Sequence, residues 1–249
     1  MSTSSSESPP GYQLLSVIVP VYNERNTVGE IIRRMRMVEL PIEREIVVVD
    51  DGSVDGTDRV LGALEDSTVK VVTHADNRGK GAAVRTGVAA ARGDVVLIQD
   101  ADLEYDPHDW PKLLAPLLQG RTKVVYGSRY IGEREVVSLG RWAGDRSLAL
   151  LTAVLFNATL TDVETGYKAI DRKVFDSLDL TADGFDFEPE ITAKLLRRRE
   201  RIFEVPIAYA GRKGDEGRKF TWRDGFAAGW TLLRLRAGWS TKGPGKKST

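Results

Sequence analysis

The chain has 249 residues, 41% of them hydrophobic, and its 36 Lys plus Arg balance 36 Asp plus Glu to a net charge of zero. That length suits one large α/β domain, and the even balance excludes a bulk electrostatic case for nucleic acid. No cysteine and two histidines, His74 and His108, exclude disulfide scaffolds, thiolate metal sites, Cys nucleophiles and a His-rich metal site.

Met1 to Pro10 is Ser-rich and polar, with neither a basic n-region nor an apolar h-region. The stretch to residue 12 therefore reads as a disordered tail rather than a signal peptide. Leu14 to Val19 reads as a buried strand ended by Pro20. Thr27 to Val38 follows as a helix, with Thr27 and Glu30 at capping-box spacing and Val28, Ile31, Ile32 and Met35 on one face. Glu45 to Val49 is a second strand, leading through Asp50-Asp51-Gly52-Ser53 to a helix ending near Leu64, and Val69 to Thr73 is a third. Asp76 to Gly81 opens a helix through Ala91, and Gly93 resets the chain for Val95 to Ile98. This β-α-β-α alternation predicts a parallel, doubly wound sheet. Trp110 to Leu118 reads as a helix started by Pro111, Lys123 to Tyr126 as a strand, and Leu148 to Leu160 and Phe187 to Arg199 as helices. Ile202 to Tyr209 is a strand whose Pro206 places it at an edge. Asp224 to Trp239 is a last helix, and Thr241 to Thr249 a flexible, mildly basic tail. Residues 13–240 thus read as one domain with a C-terminal helical extension. No stretch reaches the roughly 20 apolar residues that a membrane-spanning helix needs.

The most informative run is Val95 to Glu104. A strand buried on both faces would deliver Asp100, Asp102 and Glu104 to its carboxyl end, where open α/β sheets bind ligands. An extended backbone would point all three the same way. Crowded carboxylates repel unless a cation sits between them, and Mg²⁺ or Mn²⁺ take oxygen shells shared between carboxylates and substrate phosphates. A metal-diphosphate site is one reading; the other is a helix cap with solvated neighbours. Pro20-Val21-Tyr22-Asn23-Glu24 offers a ring to stack on a base and a carboxylate to accept from it, or only a turn. Asp50 and Asp51 suit ribose hydroxyls or turn chemistry. Gly79-Lys80-Gly81 at a helix start suits a phosphate, although it is not a Walker loop. Arg129 would supply a guanidinium for diphosphate, or a surface pair.

Together these residues resemble the inverting GT-A glycosyltransferases of family 2, specifically the polyprenyl-phosphate sugar synthases typified by the dolichyl-phosphate mannose and glucose synthases, over roughly Ser16 to Phe220. Residues 19–24 (Val-Pro-Val-Tyr-Asn-Glu) match the opening signature and Val49-Asp50-Asp51-Gly52-Ser53 the nucleoside turn. Asp100-Ala101-Asp102 resembles the DxD metal motif, with Glu104 where a further ligand often stands. Gly127-Ser128-Arg129-Tyr130 matches the donor-contacting segment, Asp162 to Lys168 the acceptor-side block and Phe187-Glu188 the acidic motif after it.

The resemblance implies an α/β GT-A fold: a Rossmann-like, mostly parallel twisted sheet with helices on both faces, plus a C-terminal amphipathic helix. It implies Mg²⁺ or Mn²⁺ on Asp100, Asp102 and Glu104, and donor contacts at Pro20, Tyr22, Glu24, Val49, Asp51, Asp100, Ala101, Asp102 and Arg129, to which Lys80 is added. Catalytic roles fall to Asp102, Arg129 and Arg212. The usual closing loop, R-x-x-G-x-S-K, is here Arg212 to Lys219 without the Ser. Arg212 carries over, and either Arg218 or Lys219 replaces the lysine. The stretch Asn77 to Arg85 is closer to glucose-type synthases and tilts the donor toward a UDP-sugar over GDP-mannose.

The implied reaction moves a sugar from a nucleotide-sugar to a polyprenyl phosphate. An anionic phosphate needs no general base. A family 2 transferase to a glycan or small-molecule hydroxyl would need one, with Asp162 or Glu188 as candidates. A non-catalytic nucleotide-sugar-binding subunit is the reading from another class. The expected location is cytoplasmic, peripheral on the cytoplasmic face of the membrane. In the last helix, Trp222, Trp230 and Trp239 with Arg223, Arg234 and Arg236 suit a membrane interface; alternatively Phe226, Trp230 and Leu233 pack on the domain and the arginines face water. A membrane-protein partner is a further expectation, tied to no particular residue.

Overall fold

The computed structural model describes residues 11–64, 68–132, 139–184, 186–211 and 222–238. The β-branched runs of the first half become strands β1 (Leu14–Val21), β2 (Glu43–Asp50), β3 (Val69–Thr73) and β4 (Val95–Ile98). Between them run helices α1 (Val28–Met37), α2 (Thr57–Gly62) and α3 (Lys80–Ala90). The second half supplies α4 (Trp110–Leu118), β5 (Val124–Ser128), α5 (Leu139–Phe156), β6 (Lys168–Asp171), α6 (Arg172–Ser177), α7 (Phe187–Arg197), β7 (Ile202–Pro206) and α8 (Trp222–Arg236).

The strands form one sheet in the order β3-β2-β1-β4-β6-β5-β7. Six strands run the same way, and β6 lies antiparallel between β4 and β5. Strand β7 is at the edge, as Pro206 requires, because its ring has no N–H for a further ladder. Period-two alternation splits the core. Val95 and Leu97 of β4 pack with α1 and α4 on one face, while Val96 and Ile98 pack with α3, α6 and α7 on the other. Helices on both faces follow from this, and all four β4 residues are buried.

Several expectations need correcting. The Thr27–Glu30 capping box does not form: Thr27 Oγ1 donates instead to the Glu24 carboxylate at 2.6 Å and carbonyl at 3.3 Å, because the turn folds Glu24 back onto it. Tyr12, assigned to the tail, is buried, and its hydroxyl donates to Asp171 at 2.9 Å. Helix α5 starts nine residues before Leu148, in a polar segment with two glycines that hides any apolar period, and Asn157, at φ 51°, stops it. The short β6 and α6 were not foreseen. On α8 the packing face is Ala228, Leu232 and Leu235, set against Leu148 and Ala193, so Trp230 and Leu233 point outward rather than onto the domain. Trp239 and the side chains of Trp222, Arg223 and Phe226 lie outside the described residues.

Candidate active site

The parallel direction of β1, β2, β4 and β5 brings the turns after them to one sheet edge. The first two turns are stitched together: Asn23 N donates to Ser53 Oγ at 2.9 Å, Val54 N to Asn23 Oδ1 at 2.9 Å and Glu24 N to Thr57 Oγ1 at 3.0 Å. Asn23 takes a left-handed conformation, φ 57°, to make this turn, and the Tyr22 ring beside it is exposed.

Asp51 is buried, and the chain itself occupies its carboxylate. It accepts from Arg78 N at 3.0 Å and Gly79 N at 2.7 Å, and His74 Nδ1 lies 2.6 Å from its Oδ1. The other ring nitrogen of His74 lies 2.9 Å from Thr86 Oγ1. Gly81 N, at the start of α3, donates to Asp183 O at 2.8 Å. The backbone anion cradle expected around Gly79 and Gly81 is thus filled from within the chain, and the Lys80 side chain is what faces the site.

The acidic run hangs on Gln99, which is fully buried and accepts at Oε1 from Trp110 Nε1 at 3.0 Å and Tyr167 Oη at 2.6 Å. Beyond it the backbone turns. Leu103 sits at φ 65°, so the extended, same-side arrangement of the three acids is overturned. Asp100 faces Lys80 Nζ at 2.7 Å. Asp102 Oδ1 accepts from Glu104 N at 3.1 Å, and Glu104 accepts at Oε2 from Tyr209 Oη at 2.9 Å. Among the described residues no three His, Cys, Asp or Glu side chains gather as a metal site. Asp100 and Asp102 follow directly on β4 with one residue between them, and Mg²⁺ in general takes one or two carboxylates beside phosphate and water.

From Asp100 a chain of alternating charge runs inward. Lys80 Nζ is 3.1 Å from Glu188 Oε1, and Lys168 Nζ is 2.5 Å from Glu188 Oε2. Burial works against the Glu188 charge, but Lys168 and Lys80 outweigh it and hold the carboxyl below its usual range. Burial likewise opposes the Lys80 charge, and Asp100 and Glu188 hold it protonated well above the usual lysine range.

Beside this chain Arg129 grips Asp162 in bidentate fashion, Nε to Oδ2 at 2.6 Å and Nη2 to Oδ1 at 2.7 Å, both groups buried. Asp145 lies 3.5 Å from Arg129 Nη2. Glu204 fixes the same loop by accepting from Thr161 N at 2.8 Å and Asp162 N at 3.1 Å. Gly166 closes the loop over Asp100: a Cβ there would stand 2.3 Å from Asp100 Oδ2, so only glycine permits the approach.

Pro20, Tyr22, Glu24, Val49, Asp51, Lys80, Asp100, Ala101, Asp102 and Arg129 therefore border one sheet edge. Arg212, Arg218 and Lys219 lie outside the described residues. Tyr209 and Ala210, just before them, sit beside Glu104, with Ala210 N donating to Glu104 O at 2.9 Å. Sequence reasoning missed Gln99, Asp145 and Glu204, and reached Glu164 only as one member of the acceptor-side block 162–168. A polar residue directly after an apolar strand was the one signal for Gln99; the others depend on long-range packing.

The family model described as "Glycosyl transferase family 2" matches residues 16–178. The chain is 31% identical over 212 residues to the dolichol-phosphate mannosyltransferase of Pyrococcus furiosus, covering 82% of this chain and 58% of that protein. It is 31% identical to the undecaprenyl-phosphate mannosyltransferase of Micrococcus luteus, covering 89% of this chain and 98% of the relative. The chain thus spans little more than half of the archaeal relative's length and nearly all of the bacterial one's. In fold it matches glucosyl-3-phosphoglycerate synthase from Mycobacterium tuberculosis, crystallised with Mn²⁺, uridine diphosphate and phosphoglyceric acid. That likeness has a TM-score of 0.71 at 23% identity, covering 94% of this chain and 82% of the other, and it marks the architecture as GT-A.

Proposed function

Because this chain belongs to glycosyl transferase family 2, we propose that it moves a sugar, with inversion, from a nucleotide-sugar to a polyprenyl phosphate. The observation that carries this reading is the state of the two carboxylates a hydroxyl acceptor would call on as base. Asp162 is locked bidentate on Arg129, and Glu188 is neutralised between Lys80 and Lys168. Both are held by cations rather than open to an acceptor hydroxyl, so a hydroxyl-transfer reading would have to call on Glu164 instead. A phosphate monoester is already anionic and attacks the anomeric carbon without losing a proton. The names of the Pyrococcus and Micrococcus relatives support the same acceptor class.

In this reading Tyr22 stacks on the base, with Pro20, Glu24 and Val49 around it, and Asp51 shapes the loop that carries Lys80. Asp100 and Asp102, flanking Ala101, would hold Mg²⁺ or Mn²⁺, which when bound supplies charge stabilisation to the leaving diphosphate. Glu104 is set aside as a direct ligand because its carboxylate is turned to Tyr209. Lys80 places an ammonium beside the diphosphate. Arg129 spends Nε and Nη2 on Asp162, so its part is to fix the loop 162–168 and add positive charge. Arg212 with Arg218 or Lys219 would close the site. The stretch Asn77 to Arg85 supports a UDP-sugar donor.

No helix among the described residues is long and apolar enough to cross a membrane. The lipid acceptor would be met at the surface, on the outward apolar side chains Trp142, Leu150 and Val154 of α5 and Trp230 and Leu233 of α8. The cytoplasmic face is the proposed side. The test is acceptor choice: undecaprenyl phosphate, undecaprenol and a panel of sugars are offered with UDP- and GDP-sugars and Mn²⁺. Product from the lipid phosphate alone is expected; product from sugar hydroxyls alone would replace this reading with the hydroxyl-transfer one.

A further inference from the structure

Glu164 belongs to no interaction described so far, yet it sits amid the site. Its loop is pinned on both sides. Asp162 is held by Arg129 and Glu204, Gly166 N donates to Tyr105 Oη at 3.1 Å, and Lys168 Nζ donates to Thr165 O and lies 3.5 Å from Val163 O. That loop rests on Asp100 through Gly166, two residues from Glu164. Glu164 Oε1 is buried and has no hydrogen-bond partner. A buried carboxyl oxygen left unpaired beside a substrate site is costly unless a ligand completes it.

The surrounding charges say what kind of ligand. Asp145 of α5, Glu188 of α7, Lys168 at the head of β6 and Arg129 after β5 act directly on Glu164. Behind them stand Lys80 of α3 with Asp100, and Asp162; Tyr130 donates to Asp145, and Lys168 lies over the Tyr126 ring. Three cations, Lys80, Arg129 and Lys168, thus face four other carboxylates, Asp100, Asp145, Asp162 and Glu188, before Glu164 is counted. An ionised Glu164 would deepen that excess and repel an anionic acceptor, whereas a neutral carboxyl presents an O–H. We propose that Glu164 binds the acceptor, donating its carboxyl O–H to a non-attacking oxygen of the polyprenyl phosphate. This rests on the polyprenyl-phosphate reading above and adds a specificity-determining residue to it. Burial, then Asp145 and Glu188, push its carboxyl up to about 7, so the O–H is available at neutral pH.

The test is calorimetric titration of the full chain, with Mn²⁺ and UDP, by geranyl phosphate between pH 6 and 8, on wild type and Glu164→Gln. The amide offers an N–H at every pH, and dividing the two affinities cancels the phosphate's own ionisation. The ratio of wild-type to variant affinity is expected to fall about tenfold from pH 6 to 8. In wild type at pH 8, binding should take up close to one proton, read from heats in buffers of different ionisation enthalpy, and this needs no variant to fold. A flat ratio, proton release, or equal affinity for geraniol would overturn the proposal. Transfer to a sugar hydroxyl that rises with pH and is lost in Glu164→Gln would make Glu164 a general base and overturn it as well. If wild type neither binds geranyl phosphate nor glycosylates polyprenyl phosphate, the acceptor reading itself fails. If it does both and the ratio is flat, only the role of Glu164 fails.

Discussion

Gly166 and Glu164 show how finely this site depends on single side chains. A methyl group at Gly166 would collide with the free end of Asp100, a flexible side chain that can swing away. Gly166→Ala should therefore cost little stability but displace Asp100 from Lys80, lowering turnover by about a hundredfold for a misplacement of this size. Steady-state kinetics beside a thermal melt will separate the two effects; a variant with wild-type turnover would contradict the placement of Asp100. The carboxyl of Glu164 binds its proton more tightly in the fold than its ordinary value of 4.5, at about 7. Stability from this group is thus present below pH 4.5 and is lost as pH rises to about 7. Glu164→Gln removes that loss, so its stability relative to wild type should increase from pH 5 to pH 8, by at most on the order of 3 kcal/mol. A difference that does not vary with pH would contradict this. Asp102→Ala should abolish transfer while the chain still melts cooperatively, since the printed bond of Asp102, from Glu104 N, belongs to the turn after β4 rather than to the core.

At the scale of elements, the start of α3 illustrates how a loop and a helix are locked together. A Cβ on Gly81 would meet the backbone carbonyl of Ala182 at 2.2 Å, and backbone cannot swing aside. Gly81→Ala should therefore destabilise the fold by roughly 1–3 kcal/mol through overpacking, measurable by urea denaturation, in contrast to Gly166→Ala. The elements themselves divide by how local their causes are. Strands β1, β2 and β4 were readable from the buried apolar runs Val17–Val19, Ile46–Val49 and Val95–Ile98; α1 was readable from helical periodicity and α4 from the proline at its start. The antiparallel β6 was not: Lys168-Ala169-Ile170-Asp171 is four residues long, and its direction is set by partners 70 or more positions back in β4. The turn positions of Tyr22, Asp51, Asp100 and Arg129 were legible as strand ends. What those residues hold was not, because Asp51 bonding to residues 78 and 79, or Arg129 to Asp162, depends on loops meeting across the sheet edge.

For the whole molecule, the sheet gathers charge at one edge while α5 and α8 turn Trp142, Leu150, Val154, Trp230 and Leu233 outward. Substituting Leu150 and Val154 by Glu removes apolar side chains from the surface and should leave the fold intact. It should cut co-sedimentation with vesicles containing anionic lipid; unchanged sedimentation would contradict the membrane-facing assignment. The claim on which the rest depends is the reaction itself. The direct measurement is incubation of the full chain with radiolabelled nucleotide-sugar, undecaprenyl phosphate and Mn²⁺, followed by organic extraction, with Asp102→Ala as control. Label passing into an acid-labile lipid in wild type and not in the variant is the predicted result. Label that stays in the aqueous phase while the nucleotide-sugar is consumed would contradict it.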